Sequence, residues 1–420
     1  MKTTPRQSRR QFLTGAAGLT FIPRHVLGAP GVPAASDRIT VGFIGAGNRA
    51  NLLMDQLPAP GQIAAVADCY LTRAEEAAAK RKKTWDVYGD YRRILDRKDI
   101  DAVVVATTDH GRVIPSIHAC QAGKDIYAEK PLTLYIAEGR ALVEAARKYK
   151  RVVQVGTQQR SMEMCQIACK LVRDGGLGKL HLVQTVCYPS SSPIPANLPT
   201  DPKPDKLNWD MWLGQAPMHE YSKKLQFSWM SWREFAGGEM TNWGAHGLDM
   251  IQMALGADHT GPVELWPLEW PKGAIGMRYA NDVTVHMELP PSGNLMGGGR
   301  FIGEKGSIDI WRNNFKIDAG DMKLDLPPQE EIDKWHDKRA LWQAQYHMGF
   351  WLECIPTRKT PNADVEIGHR SVTVSHLANI TRQLNRKLRW NPETERFVDD
   401  KDADLLANRP RRRGWELPAI

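Results

Sequence analysis

The sequence has no Cys-x-x-Cys pair and no cysteine grouped with histidine at metal-ligand spacing, so no metal is expected, and a zinc or iron–sulfur centre is excluded on pattern. Its six cysteines (Cys69, Cys120, Cys165, Cys169, Cys187 and Cys354) are scattered and read as core thiols. Cys165 and Cys169 can share a helix face, a placement that rarely gives disulfide geometry. There is no internal repeat and no low-complexity tract. No apolar run approaches the roughly 20 residues that a membrane-spanning helix needs. Basic clusters with interleaved aromatics are also missing. The run Arg409-Pro-Arg-Arg-Arg413 stands alone, so it reads as a solvated tail packed on the surface, and nucleic acid is not an expected partner.

Acidic residues are absent before Asp37. The formal net charge of +8 therefore includes five cations from this segment (Lys2, Arg6, Arg9, Arg10 and Arg24), and removing them leaves +3. Within it, Ser8-Arg9-Arg10-Gln11-Phe12-Leu13 followed by the apolar run to Ile22 and small residues to Ser36 has the form of a twin-arginine signal. Residues 1–36 are accordingly expected to be a leader, the twin-arginine export machinery a partner, and the periplasm or cell envelope the destination. That route exports folded chains, which suits a protein that loads a cofactor beforehand.

Of the remaining chain, 37–156 alternates strand and helix signals and predicts a doubly wound parallel sheet. Val41-Gly-Phe-Ile-Gly-Ala-Gly-Asn-Arg-Ala50 runs an apolar strand into a glycine-bearing turn. Gly45 permits the tight turn, Gly47 admits a pyrophosphate, and Ala46, Asn48 and Arg49 surround it at a helix N-terminus. Ile63-Ala-Ala-Val-Ala-Asp68 follows as a second strand ending in a carboxylate 23 residues after Gly45. Asp68 is placed for a ribose diol and favours NAD over NADP, while Arg73 lies near enough to answer a 2′-phosphate. Further helices are expected over Leu71 to Lys82, through Ile117 and Ala122, and over Ile136 to Tyr149. The intervening strands are Asp101–Ala106, Asp125–Pro131 and Val152–Gly156.

From Lys179 to Asp318 the rhythm changes to strands with Trp-rich and Pro-rich connections, which predicts a largely antiparallel second sheet. Residues 157–390 are read as this second α/β domain, closed by helices near 341–354 and 365–384, and 391–420 as a tail. Two clusters carry chemistry. In Glu129-Lys130-Pro131 an ammonium at a strand end can bind an alcohol or carbonyl oxygen. In Gly237-Gly-Glu-Met-Thr-Asn-Trp-Gly-Ala-His-Gly-Leu-Asp249, residues Asn242, His246 and Asp249 fall on one helix face, and His246 is the candidate acid/base.

With Thr107-Thr-Asp-His110, Gly156-Thr-Gln-Gln-Arg160, Pro361-Asn362 and Leu377-Ala-Asn-Ile380, these stretches resemble the Gfo/Idh/MocA family of NAD(P)-dependent oxidoreductases, specifically its twin-arginine-exported bacterial branch. The resemblance implies an N-terminal Rossmann domain, an α/β domain with an open sheet, and a sugar or polyol held between them. It also implies that Lys130 and His246 sit at the nicotinamide, that Thr107, Thr108, His110 and Glu129 line the cofactor crevice, and that the chain forms a homo-oligomer. Gln158 is counted with the cofactor residues. Arg160, Tyr188, Trp243 and Asp249 are candidates for substrate contact. Asn242 stands where many members carry Asp, which deprives His246 of carboxylate support. Gly111 and Arg112 depart from the family pattern after His110.

The activity this implies is oxidation and reduction of a secondary hydroxyl of a sugar, polyol or glycoside by NAD. Outside the cytoplasm free NAD is not expected, so the cofactor should stay tightly bound. Two alternatives are a NAD-dependent glycoside-cleaving enzyme acting through a transient ketone, and a non-catalytic sugar-binding protein.

Overall fold

A computed structural model describes residues 38–292, 295–318, 328, 330 and 345–420. The expected leader, 1–36, and the first positions of the helix expected from 341 lie outside the described residues.

The first sheet is built from β1 (Ile39–Ile44), β2 (Gly61–Ala67), β3 (Asp86–Tyr88), β4 (Ala102–Val105), β5 (Asp125–Ala128) and β6 (Val153–Val155). All its pairs are parallel, in the order β3-β2-β1-β4-β5-β6, so the strand order reverses between β1 and β4. Ligands of such sheets bind at the C-terminal strand ends beside this reversal. Central strands buried on both faces need near-continuous apolar runs, and Ala102–Val105 is wholly buried. Alternation divides the runs between two cores. Val41, Phe43, Val66 and Val104 point to one, and Ile44, Ala65, Val103 and Val105 to the other.

Helices α1 (Asn48–Gln56) and α2 (Leu71–Lys80) cover the first of these faces, and α3 (Arg92–Leu95), α4 (Val113–Gln121) and α5 (Ile136–Lys148) the second. β3 and α3, absent from the sequence reading, extend this domain at its edge. The second domain begins with α6 (Glu163–Arg173) and β7 (Leu180–Val186). A long connection carries two short helices, α7 (Trp209–Leu213) and α8 (Lys223–Phe227), before α9 (Glu239–Ala254). Then come β8 (Glu264–Pro267), β9 (Ile275–Arg278), β10 (Thr284–Leu289), β11 (Gly299–Gly303), β12 (Gly306–Trp311) and β13 (Asn314–Asp318). Two further helices, α10 (Gln345–Thr357) and α11 (Val365–Leu384), precede β14 (Leu388–Asn391), β15 (Arg396–Phe397) and α12 (Lys401–Leu406).

The second sheet runs β13-β12-β11-β7-β10-β9-β8-β14-β15, antiparallel except for the parallel pair β10–β7. Its buried side packs on α6, α9 and α11 through Val183, Val285, Met287, Phe301, Leu248, Ile251 and Leu377. α10 turns back to the first sheet, where Met348, Trp351 and Leu352 join Val41 and Tyr127. The stretch 391–420, expected as a tail, supplies β15 and α12, with Phe397 and Ala403 in the second core. Arg409 is only 8% exposed, so the basic run is not a solvated tail either.

Candidate active site

The glycine turn closes as the strand–turn–helix pattern dictates. Gly45 has φ +99°, and a Cβ there would lie 2.6 Å from the Ala106 carbonyl oxygen, so only glycine fits between β1 and the end of β4. Above Gly47 a Cβ would meet nothing within 4 Å, and no side chain caps the helix α1 that starts beside it. Open space over uncapped N–H donors suits a pyrophosphate, so the residues present fit a dinucleotide. Asp68 ends β2 with one carboxylate oxygen accepting from the Ala46 N–H (2.8 Å) and the other from the Tyr70 N–H (2.8 Å). Burial raises its pKa against these bonds; the oxygen facing Tyr70 also accepts from the Cys69 thiol (3.8 Å), and the one facing Ala46 keeps a lone pair for a further donor. Arg73 is drawn onto the rings of Tyr70 and Phe227, at 5.9 and 5.7 Å.

At the end of β5, Glu129 is buried and accepts from Arg49 Nε (2.6 Å) and the Lys130 N–H (3.0 Å). Arg112, buried one strand away, donates to the carbonyls of Thr107 and Pro131 and so ties the β4 and β5 ends together. Thr107 and Thr108 are half-buried at the same edge. The Lys130 ammonium reaches across to α9 and donates to Asn242 Oδ1 at 2.6 Å and, at 3.4 Å, to its carbonyl. Burial pushes the Lys130 ammonium down to about 8, against the favourable charges of Glu129 and Asp109.

Helix α9 begins at a fixed point. Gly238 has φ +76°, and a Cβ would lie 2.3 Å from the Ser191 nitrogen, so the chain enters the helix against residues 190–191. One turn on, Asn242 faces Lys130, and one turn further His246 is 4% exposed. Its ring is edge-on to Trp243, with centroids 6.0 Å apart. Burial first, then the charges of Arg312, Lys130 and Arg49, hold its pKa well below the ordinary histidine value. The neutral ring is therefore the resting form, and its Nδ1 has no hydrogen-bond partner among the described residues. Arg312, on the β12–β13 turn, lies 5.5 Å from the Trp243 ring. With its amide turned so that nitrogen meets Gly156 O, Gln158 accepts from Arg312 Nη2 at 2.6 Å.

Four expected site residues are committed elsewhere. Arg160 holds Asp249 through Nε (2.9 and 3.0 Å) and Asp258 through both terminal nitrogens, in a site where Arg160 and Asp249 are almost fully buried. Two side chains spent on each other are not free for a sugar, which withdraws both as substrate contacts. Tyr188 is buried, and its hydroxyl accepts from the Gly297 N–H (3.1 Å), so it shapes the β11 approach. His110 does not line the crevice. It is 1% exposed between the rings of Trp212 and Phe235, hydrogen-bonded to Trp212 O at 2.8 Å, and burial pushes its pKa down to about 3. Arg160→Met would strand the Asp249 carboxylate in the interior. A loss of about 3–5 kcal/mol in denaturant unfolding is expected. Unchanged stability would show that the pair is not the brace described.

Sequence reading missed the role of Glu239, which accepts from Asn242 Nδ2 at 3.0 Å, although its place in the first turn was visible. It also missed the brace formed by the β7–α9 connection. There Leu207, Trp209, Trp212, Leu213 and Phe235 form a separate small core. This connection grips the β2–α2 turn through Leu71 N–H to Lys206 O (3.1 Å) and Asn208 N–H to Cys69 O (2.8 Å). It grips the β4–α4 turn through Gln215 to His110 O (2.7 Å). Arg409 and Arg411 hold it from behind, donating to Glu234 O and Gln215 Oε1.

Comparison with known proteins gives the same architecture. Residues 39–157 match the profile of the Gfo/Idh/MocA oxidoreductase family, NAD-binding Rossmann fold, and residues 194–271 and 317–417 match its C-terminal alpha/beta domain. An uncharacterized oxidoreductase of Synechocystis sp. is 22% identical over 401 residues, 86% of this chain and 99% of that protein. Inositol 2-dehydrogenase of Salmonella typhimurium is 26% identical over 132 residues, 31% of this chain and 39% of that enzyme. Among solved structures, an inositol dehydrogenase homolog from Azotobacter vinelandii, complexed with NADH and myo-inositol, superimposes with a TM-score of 0.61 at 17% identity, over 84% of this chain and 98% of that one. The chain belongs to the Gfo/Idh/MocA oxidoreductase family, with a parallel NAD-binding Rossmann domain followed by a mixed, mostly antiparallel α/β domain.

Proposed function

We propose that the protein oxidises and reduces a secondary hydroxyl of a sugar, polyol or glycoside with NAD. The observation that carries this reading is the meeting of Lys130, from a strand end of the first domain, with Asn242, one turn before His246 on a helix of the second. An ammonium that donates and a neutral imidazole that accepts are the two groups an alcohol needs as its proton leaves. Gly45, Ala46, Gly47, Asn48 and Asp68 would hold the dinucleotide, with Thr107, Thr108, Glu129 and Gln158 along its crevice. When bound, the cofactor supplies the hydride acceptor. Lys130 then holds the reacting oxygen, His246 takes and returns its proton, and Trp243 offers an apolar ring face to the sugar.

NAD is preferred to NADP in this reading because the Asp68 carboxylate would repel a 2′-phosphate, and Arg73 is engaged by two aromatic rings. Export through the twin-arginine route to the cell envelope, self-association through the exposed side of the second sheet, and retention of the cofactor complete the proposal. Retention is supported by the β7–α9 connection, which pins both turns flanking the crevice. The inositol dehydrogenase relatives and the neighbour holding NADH and myo-inositol support a polyol-class substrate.

The test is purification followed by gel filtration, a mass spectrum of what stays bound, and trapping of ketone products from a polyol and aldose panel. Stoichiometric NAD after filtration and a trapped ketone are expected. Loss of NAD on filtration would refute retention. Glycoside cleavage without ketone accumulation would replace the dehydrogenase reading with the glycoside-cleaving one.

A further inference from the structure

The amide of Asn242 lies between a group that can only donate and one that can only accept. Its Oδ1 takes a hydrogen bond from Lys130 Nζ at 2.6 Å, and its Nδ2 donates to Glu239 Oε2 at 3.0 Å. Reversing the amide would set NH2 against an ammonium and a carbonyl oxygen against a carboxylate, so only one orientation satisfies both neighbours. Glu239 cannot drift from this place. It is the first residue of α9, behind a glycine whose Cβ position lies 2.3 Å from the backbone of Ser191.

We propose that Glu239 is a positioning residue for the reaction: through the Asn242 amide it aims the Lys130 ammonium and supports its charge, supplying at one remove the carboxylate that position 242 lacks. The inference rests on the reading of Lys130 as the group that binds the reacting oxygen. Hydrogen bonds in series polarise one another, so the carboxylate makes Oδ1 a better acceptor than an isolated amide would be. Two of the three ammonium protons are then aimed at the Asn242 side-chain and backbone oxygens, and the third direction is left for substrate. The other charges acting on Lys130 are Glu129 and Asp109, which favour its ammonium, and Arg49 and Arg112, which oppose it. Arg312 and His246 face the same space from the second domain. Glu239 adds a negative charge on the α9 side, where these neighbours are otherwise cationic or neutral.

The experiment measures the protonation of Lys130 directly in the full-length protein. Acetic anhydride labels free amines, and the rate at Lys130 is followed against pH by peptide mass spectrometry. In the native protein the midpoint is expected near 8. Glu239→Gln, which keeps a hydrogen-bond acceptor and removes the charge, is expected to lower it by roughly half to one pH unit. Asn242→Asp combined with Glu239→Gln restores a carboxylate in direct contact with Nζ and should return the midpoint to the native value or above. An unchanged midpoint in Glu239→Gln, or no recovery in the double variant, would overturn the proposal, with thermal unfolding confirming that each variant is folded. With a substrate from the polyol panel, the alkaline limb of kcat should move in step with the labelling midpoint while KM changes little. A chain that shows the labelling shifts but oxidises no polyol would keep the Glu239 assignment and refute the proposed activity, so the two can fail separately.

Discussion

Replacing His246 by alanine is expected to lower turnover about a hundred- to ten-thousand-fold, the usual range for a positioned acid/base, and to leave the dinucleotide bound. The ring is buried on α9, is neutral at rest, and has one nitrogen without a partner among the described residues. A neutral imidazole can accept the hydroxyl proton without first losing its own. Because its pKa is depressed, the neutral form persists as pH falls well past the ordinary histidine value, so no acid limb near 6.5 should appear in kcat for the native enzyme. The cofactor turn is on the other domain, so mass spectrometry of the variant should find the same bound NAD. A variant that turns over at the native rate would remove His246 from the chemistry. One that loses its cofactor would make it a structural residue of the crevice.

Lys130→Met should cost on the order of a hundred- to a thousand-fold in kcat, comparable to losing one donor aimed at a developing oxyanion. Its signature differs from that of His246. Burial lowers the ammonium to about 8, so the charged form is complete below that pH and is lost above it. The native rate should therefore fall on the alkaline side of pH 8, and Lys130→Met should flatten that limb as well as lower the plateau. Lys130→Arg should not restore the rate, since a planar guanidinium cannot repeat the contact of Nζ with Asn242. A rate unaffected by Lys130→Met would show that the ammonium does not touch the reacting oxygen.

The parts legible in the sequence are those set by short-range pattern. The turn at Gly45 and the carboxylate at Asp68 follow from strand, glycine and helix signals within one βαβ unit, and the alternation up to β6 gave the parallel sheet. The boundaries of α11, expected at 365–384, match because its ends carry an Asp N-cap and a left-handed Asn385. What stayed hidden depends on partners far along the chain. Helical spacing put Asn242, His246 and Asp249 on one face, yet Asp249 meets Arg160, 89 residues away, and leaves the site. The run at Arg409 looked solvated because its acceptors, Glu234 O and Gln215, are 175 and 196 residues distant. His110 belongs to the family-like stretch after β4, but the Trp212 and Phe235 rings that enclose it come from a connection with no regular period. Glu239 was one helical turn from Asn242 and still invisible as a partner, since spacing alone does not say which way an amide points.

The most direct test of the account is the near-ultraviolet absorbance of reduced nicotinamide after native protein, Lys130→Met and His246→Ala, each carrying its NAD, are mixed with myo-inositol and an aldose panel. The account predicts up to one equivalent of reduced nicotinamide per bound NAD in the native protein with at least one sugar or polyol, and rates lowered by about two orders of magnitude or more in both variants. Equal rates in all three proteins, or no reduction with any polyol or aldose, would contradict it.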